Sequence, residues 1–521
     1  KIFKLIFLST IITLSVSCTN NQKQNKIKFN FEPNSNFGRF LSARYSFKVG
    51  DNKFASKFIS KSKDLHLDLT LAKLNFNSYL INGDFHNAKK FKLTAPNGLE
   101  KLPMYGLPDF VINLKKGEFF NPNNFHSVLS NLPGFEIIME SINNIKLVKS
   151  NNYESFDVNL KNSNVFNLLI FENTEIETLI HLSMKKENLS LIENILYLGY
   201  LNRKNPETFN EKINSFSLRF NYDIDALKLY FENENNVKKE HNNKFILANL
   251  FSYLSFISSS QKNIPNSYLK ILNEISHFLE PNLGNSNYFL ANIYSNENNF
   301  RIALNKLNRI KENSFMYPYS MIKKYKILKK IDEKSSILFL KSIEKKYPKN
   351  NEILLLIANK YRSENKCDKA IEIYDKLIKK NINKNSFYYL KAICLDKLNK
   401  WNDSKKILIE LISKNPNDAY VLNYLSYSMA VRSEDLIKAK ELIIRAIEID
   451  EDNGFFLDTL GWIQFKLNDT ENAIRTIQLA IELEPNNSEI IDHLGDIYYE
   501  VGRKKEAIYE WNKALNGNAN N

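Results

Sequence analysis

Between Leu457 and Ala473 the chain reads LDTLGWIQFKLNDTENA, with Gly461 and Trp462 side by side in a run whose flanks read as helix. Glycine is about 1 kcal/mol less favourable than alanine inside a helix, so its place beside the largest side chain needs a reason, either chemistry or close approach. A period supplies it. Small residues followed by an aliphatic pattern recur at Ala303, Ser336, Ala370, Ser404, Ala439, Ala473 and Ala507, with gaps of 33, 34, 34, 35, 34 and 34. A second series, Ala358, Ala392, Ser426, Gly461 and Gly495, runs twelve positions upstream of its counterpart, or thirteen where one residue is inserted near Glu434. Two phased series mean two helices per unit, packed closely enough to require small side chains where they touch. The expected repeat-packing residues are therefore Ala358, Ala370, Ala392, Ser404, Ser426, Ala439, Gly461, Ala473, Gly495 and Ala507.

The last two units add Leu460-Gly461, Leu494-Gly495, Tyr498, Gly502, Ala480, Ala514, Trp511 and Pro485, and an earlier unit shows Ala358, Tyr361, Ala370 and Tyr374 in the same phase. With a period of 34, these residues resemble the tetratricopeptide-repeat family, most fully from Asn351 to Leu515. The resemblance implies an all-α fold, an α-solenoid of stacked helix-turn-helix repeats. Composition agrees: glycine (14) and proline (13) are scarce in 521 residues, which suits helices joined by short turns better than a sandwich or barrel.

The signal fades upstream. Gly50 to Gly83 and Ala55 to Ala88 each span 33 residues, so residues 37–98 are read as N-terminal repeats. Residues 99–240 form a divergent helical segment without a clean period; within it, 155–171 alternates as a short hairpin could, with helices the preferred reading. Residues 241–350 are degenerate repeats and 351–521 the well-formed array.

The opening KIFKLIFLSTIITLSVSCTN has an apolar run too short to span a bilayer but of the length of a signal peptide's hydrophobic region. Leu14-Ser15-Val16-Ser17-Cys18 resembles a bacterial lipobox, departing from it at Ser15, where an aliphatic residue is usual. That resemblance implies a leader at 1–18, lipidation of Cys18 and a polar tether at 19–36. Because Thr19 rather than Asp follows, it implies the periplasmic face of the outer membrane, with the inner membrane or soluble periplasm as alternatives. The whole organisation looks like proteobacterial tetratricopeptide lipoproteins.

No chemistry is legible. The seven histidines are scattered without zinc spacing, and no phosphate-cradling or nucleophile motif is present, so neither metal nor cofactor is expected and the chain is read as non-enzymatic. An enzyme with its site in the divergent middle is the alternative of another class. His493 beside Asp492 reads as a helix contact, because neighbours on a helix point about 100° apart. Cys367 and Cys394 read as buried free thiols in preference to a disulfide. The net charge of +14 comes from lysines interleaved with acids, densest over Ile322–Lys334, and reads as a solvated face; nucleic acid is not expected as a partner.

A tetratricopeptide array characteristically binds peptides or partner helices on the concave surface lined by first helices. Here that surface selects Tyr420, Asn423 and Tyr427, then Phe455, Asp458, Trp462 and Phe465, then Glu489, Asp492, Asp496 and Tyr499. Aromatics beside acids suit an apolar anchor with basic neighbours. For Trp462, two readings stand, groove and inter-repeat packing. The functional expectation is a membrane-anchored scaffold or adaptor for protein partners in envelope assembly; a pilotin-like factor for a secretion or pilus component is the runner-up.

Overall fold

A computed structural model describes residues 35–48, 52–61, 68–118, 134–152, 164–184, 188–220, 227–228, 230–231, 243–347, 350–379 and 385–518. Every regular element among them is helical and none is a strand. The leader, Cys18, most of the tether and residues 155–163 lie outside the described residues; the rest of the hairpin candidate holds the helix Val165–Ile170.

The chain divides into two compact units. The second joins residues 194–238 to 317–521, and its C-terminal part is five helix pairs: Asn351–Ser363 with Cys367–Lys379, Asn385–Lys397 with Trp401–Lys414, Ala419–Val431 with Leu436–Ile449, Gly454–Lys466 with Thr470–Leu483, and Ser488–Glu500 with Lys504–Asn518. Local chemistry sets both kinds of joint. First helices begin on side-chain caps: Asn350, Asp418, Asn453 and Asn487 each accept from backbone N–H groups two or three residues on, satisfying donors that an uncapped helix would leave unpaired.

Between the helices of a pair the chain turns through a left-handed residue, Asn365 (φ 56°), Asn399 (58°), Ser433 (49°), Asn468 (63°) or Gly502 (82°), joined in the third pair by Asp435 (39°). At each such turn the next N–H reaches back to a carbonyl five residues earlier: Lys366 to Tyr361, Lys400 to Leu395, Glu434 to Met429, Asp469 to Gln464 and Arg503 to Tyr498, all at 2.8–2.9 Å. This is the six-to-one bond of a Schellman ending, which turns the chain back on itself.

The two helices of each pair then meet at the small residues. Ala358, Ala370, Ala392, Ser404, Ser426, Ala439, Ala473 and Ala507 are buried to 1% exposure or less. Ser404 and Ser426 use their hydroxyls as well, donating to the carbonyls of Ala392 (2.8 Å) and Ala439 (2.7 Å) across the helix–helix contact. A methyl built on Gly461 would lie 2.4 Å from Ile477 Cγ1, and one on Gly495 2.5 Å from Trp511 Cδ1. Each core cluster draws on more than one pair, the first running from Met321 to Cys394 and the next from Ala392 to Ile463. No pair buries its apolar face alone, so stability belongs to the stack.

The first unit joins residues 1–193 to 239–316, a partition different from the one drawn along the sequence: the boundary at Met316 falls inside the segment 241–350. The helices Leu69–Ile81 and Leu107–Lys116 pack on Asn266–Leu279. Phe85 meets Phe278 edge-on at 5.2 Å, Lys115 Nζ donates to the Leu279 carbonyl at 2.7 Å, and Lys306 pairs with the buried Glu274, whose side chain also abuts Gly83. Helix pairs far apart in sequence thus share one core.

Candidate functional site

The first helices of the last three pairs carry all eleven residues expected to line a partner surface. Tyr420, Phe455 and Glu489 hold one position in consecutive repeats, six residues before Ser426, Gly461 and Gly495. All three are exposed, Tyr420 at 62% and Phe455 at 48%. Asp492 and Tyr499 are exposed as well, Tyr499 at 49%. Burial, and then the neighbouring charge of Asp496, holds the Asp492 carboxyl above its ordinary range.

The rest of the set is drawn inward. Trp462 is half-buried and packs against two core clusters at once, one on each side of its own pair. Its ring stacks on His493 at 4.8 Å between centroids, with Phe465 at 5.6 Å and the Lys466 ammonium 5.0 Å from its centre. Tyr427 also approaches His493, at 6.2 Å. Both readings of Trp462 meet here, because the ring fills the joint between repeats while part of it stays open. Its Nε1 and Asn423 Oδ1 are buried without a hydrogen-bond partner among the described residues.

Two acids require correction. Asp458, expected to stand open to a partner, is 6% exposed, and His493 Nδ1 lies 2.9 and 3.0 Å from its two oxygens. A buried carboxylate needs such a partner, since desolvation without one costs several kcal/mol, roughly. Asp496 is half-buried and accepts from Trp511 Nε1 at 3.1 Å. Both bind their own array. Burial opposes the charge on His493, but the bond to Asp458 and the charges of Asp458, Glu489 and Asp496 outweigh it, so the imidazole is held above its usual value.

His493 is the residue that sequence reasoning undervalued, as a helix contact of no stated partner. No local signal marks the pair: Asp458 stands three before Gly461 and His493 two before Gly495, and only the built joint brings the two face to face. A second joint has the same logic. Asp396 accepts from Tyr424 and Ser428 at 3.0 Å and pairs with Arg432, linking the second and third pairs.

Among the described residues no group of three His, Cys, Asp or Glu could hold a metal ion. The arrangement sets open aromatic rings and acids above joints in which Asp458, Asp496 and His493 are already engaged.

A family model for the tetratricopeptide repeat matches residues 456–487. A curated relative, the TPR repeat-containing protein PA4667 of Pseudomonas aeruginosa, is 28% identical over 127 residues, 24% of this chain and 22% of the relative, so the chain spans about a fifth of that relative's length. Among solved structures, TTC0263, a thermophilic TPR protein of Thermus thermophilus, is 21% identical and covers 32% of this chain and 91% of that one, at a TM-score of 0.30. MamA 41-end from Desulfovibrio magneticus RS-1 is 14% identical and covers 33% and 96%, at 0.27. Residues 456–487, the stretch that holds Gly461, Trp462, Ala473 and Pro485, are a tetratricopeptide repeat.

Proposed function

We propose that the chain is a membrane-anchored scaffold or adaptor that binds protein partners on the first-helix face of its last three repeats during assembly of the cell envelope. The observation that carries this reading is the set of exposed rings, Tyr420, Phe455 and Tyr499, beside the exposed acids Glu489 and Asp492. Their neighbours on the same helices are engaged in packing, so these five are what the face offers to another molecule. Aromatic rings on a rigid support are favoured anchors, because they bury large area with few rotatable bonds. Asp492, partly desolvated and charged beside Asp496, favours a cationic neighbour. The partner is therefore a segment with an apolar anchor and flanking lysine or arginine.

Two surface variants test this. Tyr420→Ala with Phe455→Ala, and Glu489→Lys with Asp492→Lys, replace exposed side chains, of which only the Tyr420 ring meets a core residue, Phe456, edge-on at 5.7 Å, so helical circular dichroism should stay near wild-type strength. Each should cut recovery of a specific partner from detergent-solubilised envelope at least about tenfold, the loss expected from removing anchors worth ~1–2 kcal/mol. Full recovery with both variants refutes the face. The anchor rests on Cys18 and its apolar leader, and is tested separately by palmitate labelling, which Cys18→Ser should abolish. Among the described residues no helix is long and apolar enough to cross a membrane.

A further inference from the structure

Cys367 and Cys394 are 27 positions apart, yet they belong to one core cluster. Cys367 opens the helix Cys367–Lys379, the second of its pair, and Cys394 lies in Asn385–Lys397, the first of the next. A bond between them would tie consecutive repeats together. Both side chains are fully buried, both thiols are free, and the two helices that carry them pack directly on each other.

We propose that Cys367 and Cys394 form a disulfide site that closes while the chain folds in an oxidising compartment and is sealed against redox reagents once folding is complete. The proposal goes beyond partner binding and does not depend on it. Disulfide exchange needs a thiolate that the oxidant can reach. In the unfolded chain both cysteines have ordinary acidity, near ~8.5, and open access. In the folded array burial, and then the Cys367 thiol, push Cys394 up to about 12, and neither sulfur meets solvent. The same pair is reactive before folding and inert after it, so its redox state is set by the conditions of folding.

The chemistry balances with glutathione disulfide as oxidant. The Cys367 thiolate attacks one glutathione sulfur, forming a mixed disulfide and releasing glutathione thiolate. The Cys394 thiolate then attacks the Cys367 sulfur and releases the second. Two cysteine thiols are oxidised, one glutathione disulfide is reduced to two glutathiones, and the two protons pass to them. The closed loop contains the rest of one helix, the joint between repeats and most of the next helix, restricting the unfolded chain.

The test uses the full chain with Cys18→Ser, so that only this pair can react. Refolded from reducing denaturant into a buffer of glutathione and glutathione disulfide, it should lose two hydrogens in mass and give one non-reducing peptide joining Cys367 to Cys394. The same buffer added to native, reduced protein should leave both thiols intact for at least about tenfold longer, as expected of buried thiols. The oxidised second unit should melt several degrees above the reduced one, a difference that Cys367→Ala or Cys394→Ala removes. If those variants fail to fold, melting the unsubstituted pair in both redox states decides alone. Absence of the linked peptide after refolding overturns the site, and native protein oxidising as fast as unfolded protein overturns the sealing.

Discussion

Adding one methyl to Gly461 sets two effects of similar size against each other. Alanine gains about 1 kcal/mol of helix propensity. The methyl, however, would sit 2.4 Å from Ile477 Cγ1 and 3.2 Å from the Ala473 carbonyl oxygen, and overpacking of this kind costs about 1–3 kcal/mol. Ile477 is fully buried and the carbonyl is backbone, so neither has room to retreat. Gly461→Ala should therefore lower stability in urea by up to about 2 kcal/mol, and combined with Ile477→Ala the loss should be smaller than the two single losses summed. Additive losses would mean that the methyl meets no resistance. His493 gives a second test at this scale. Because its folded pKa is raised above the ordinary 6.5, its contribution to stability is complete below that value and lost as pH rises through the folded one. Ring NMR should show a titration midpoint above 6.5, and Asp458→Asn should lower that midpoint and flatten the pH dependence of unfolding. The tight contact at Gly461 was legible in the sequence because glycine there defies helix propensity. Engagement of Asp458 was not, because its partner lies 35 residues on and nothing local marks it.

The helix pairs owe their geometry to their ends. Each turn within a pair needs one residue at positive φ, and asparagine supplies it at positions 365, 399 and 468. At Asn399 (φ 58°) a β-branched residue is strained, so Asn399→Val should cost about 1–2 kcal/mol, whereas Asn399→Gly should be neutral or slightly stabilising. The opposite end is more uniform in cost. Asn487 caps two N–H groups, and Asn487→Ala should lose about 1 kcal/mol, measured by urea denaturation. Glycine turns such as Gly83 and Gly502 stand out in the sequence, but the asparagine turns hide in a chain where asparagine is plentiful throughout. Their phase, 34 residues from 365 to 399, is what distinguishes them.

At the scale of the molecule, two compact units should yield to different substitutions. In the first, Lys306→Met would strand the buried carboxylate of Glu274, and removing one member of such a pair costs about 3–5 kcal/mol. Hydrogen exchange in rising urea should then show early opening confined to helices such as Leu69–Ile81 and Asn266–Leu279, with the repeats after Asn351 unchanged. Gly461→Ala should do the reverse. Equal shifts in both would contradict the partition. The sequence period identified the C-terminal pairs because each packs mainly on its neighbours. It could not place the boundary at Met316 or join residues 69–116 to 266–279, since a period reports neighbours along the chain and these contacts cross some 150 residues. On the candidate face, the exposed Tyr420 and Phe455 were readable from phase alone, while the commitments of Trp462, Asp458 and Asp496 appear only once the joints are built.

The 35-residue repeat shows where this architecture can change length. Its extra residue falls in the turn at Ser433–Asp435, where two residues take positive φ instead of one, and the helices on either side keep their register. Glu434 uses the slack to reach the preceding repeat, accepting from Trp401 Nε1 at 2.6 Å and pairing with Lys405. A codon gained inside a helix would instead turn every later side chain by about 100° and face the small residues away from their partners. Insertions and deletions among descendants of this gene should therefore accumulate at the turns, and a turn that gains a residue can be retained for the bond it makes possible.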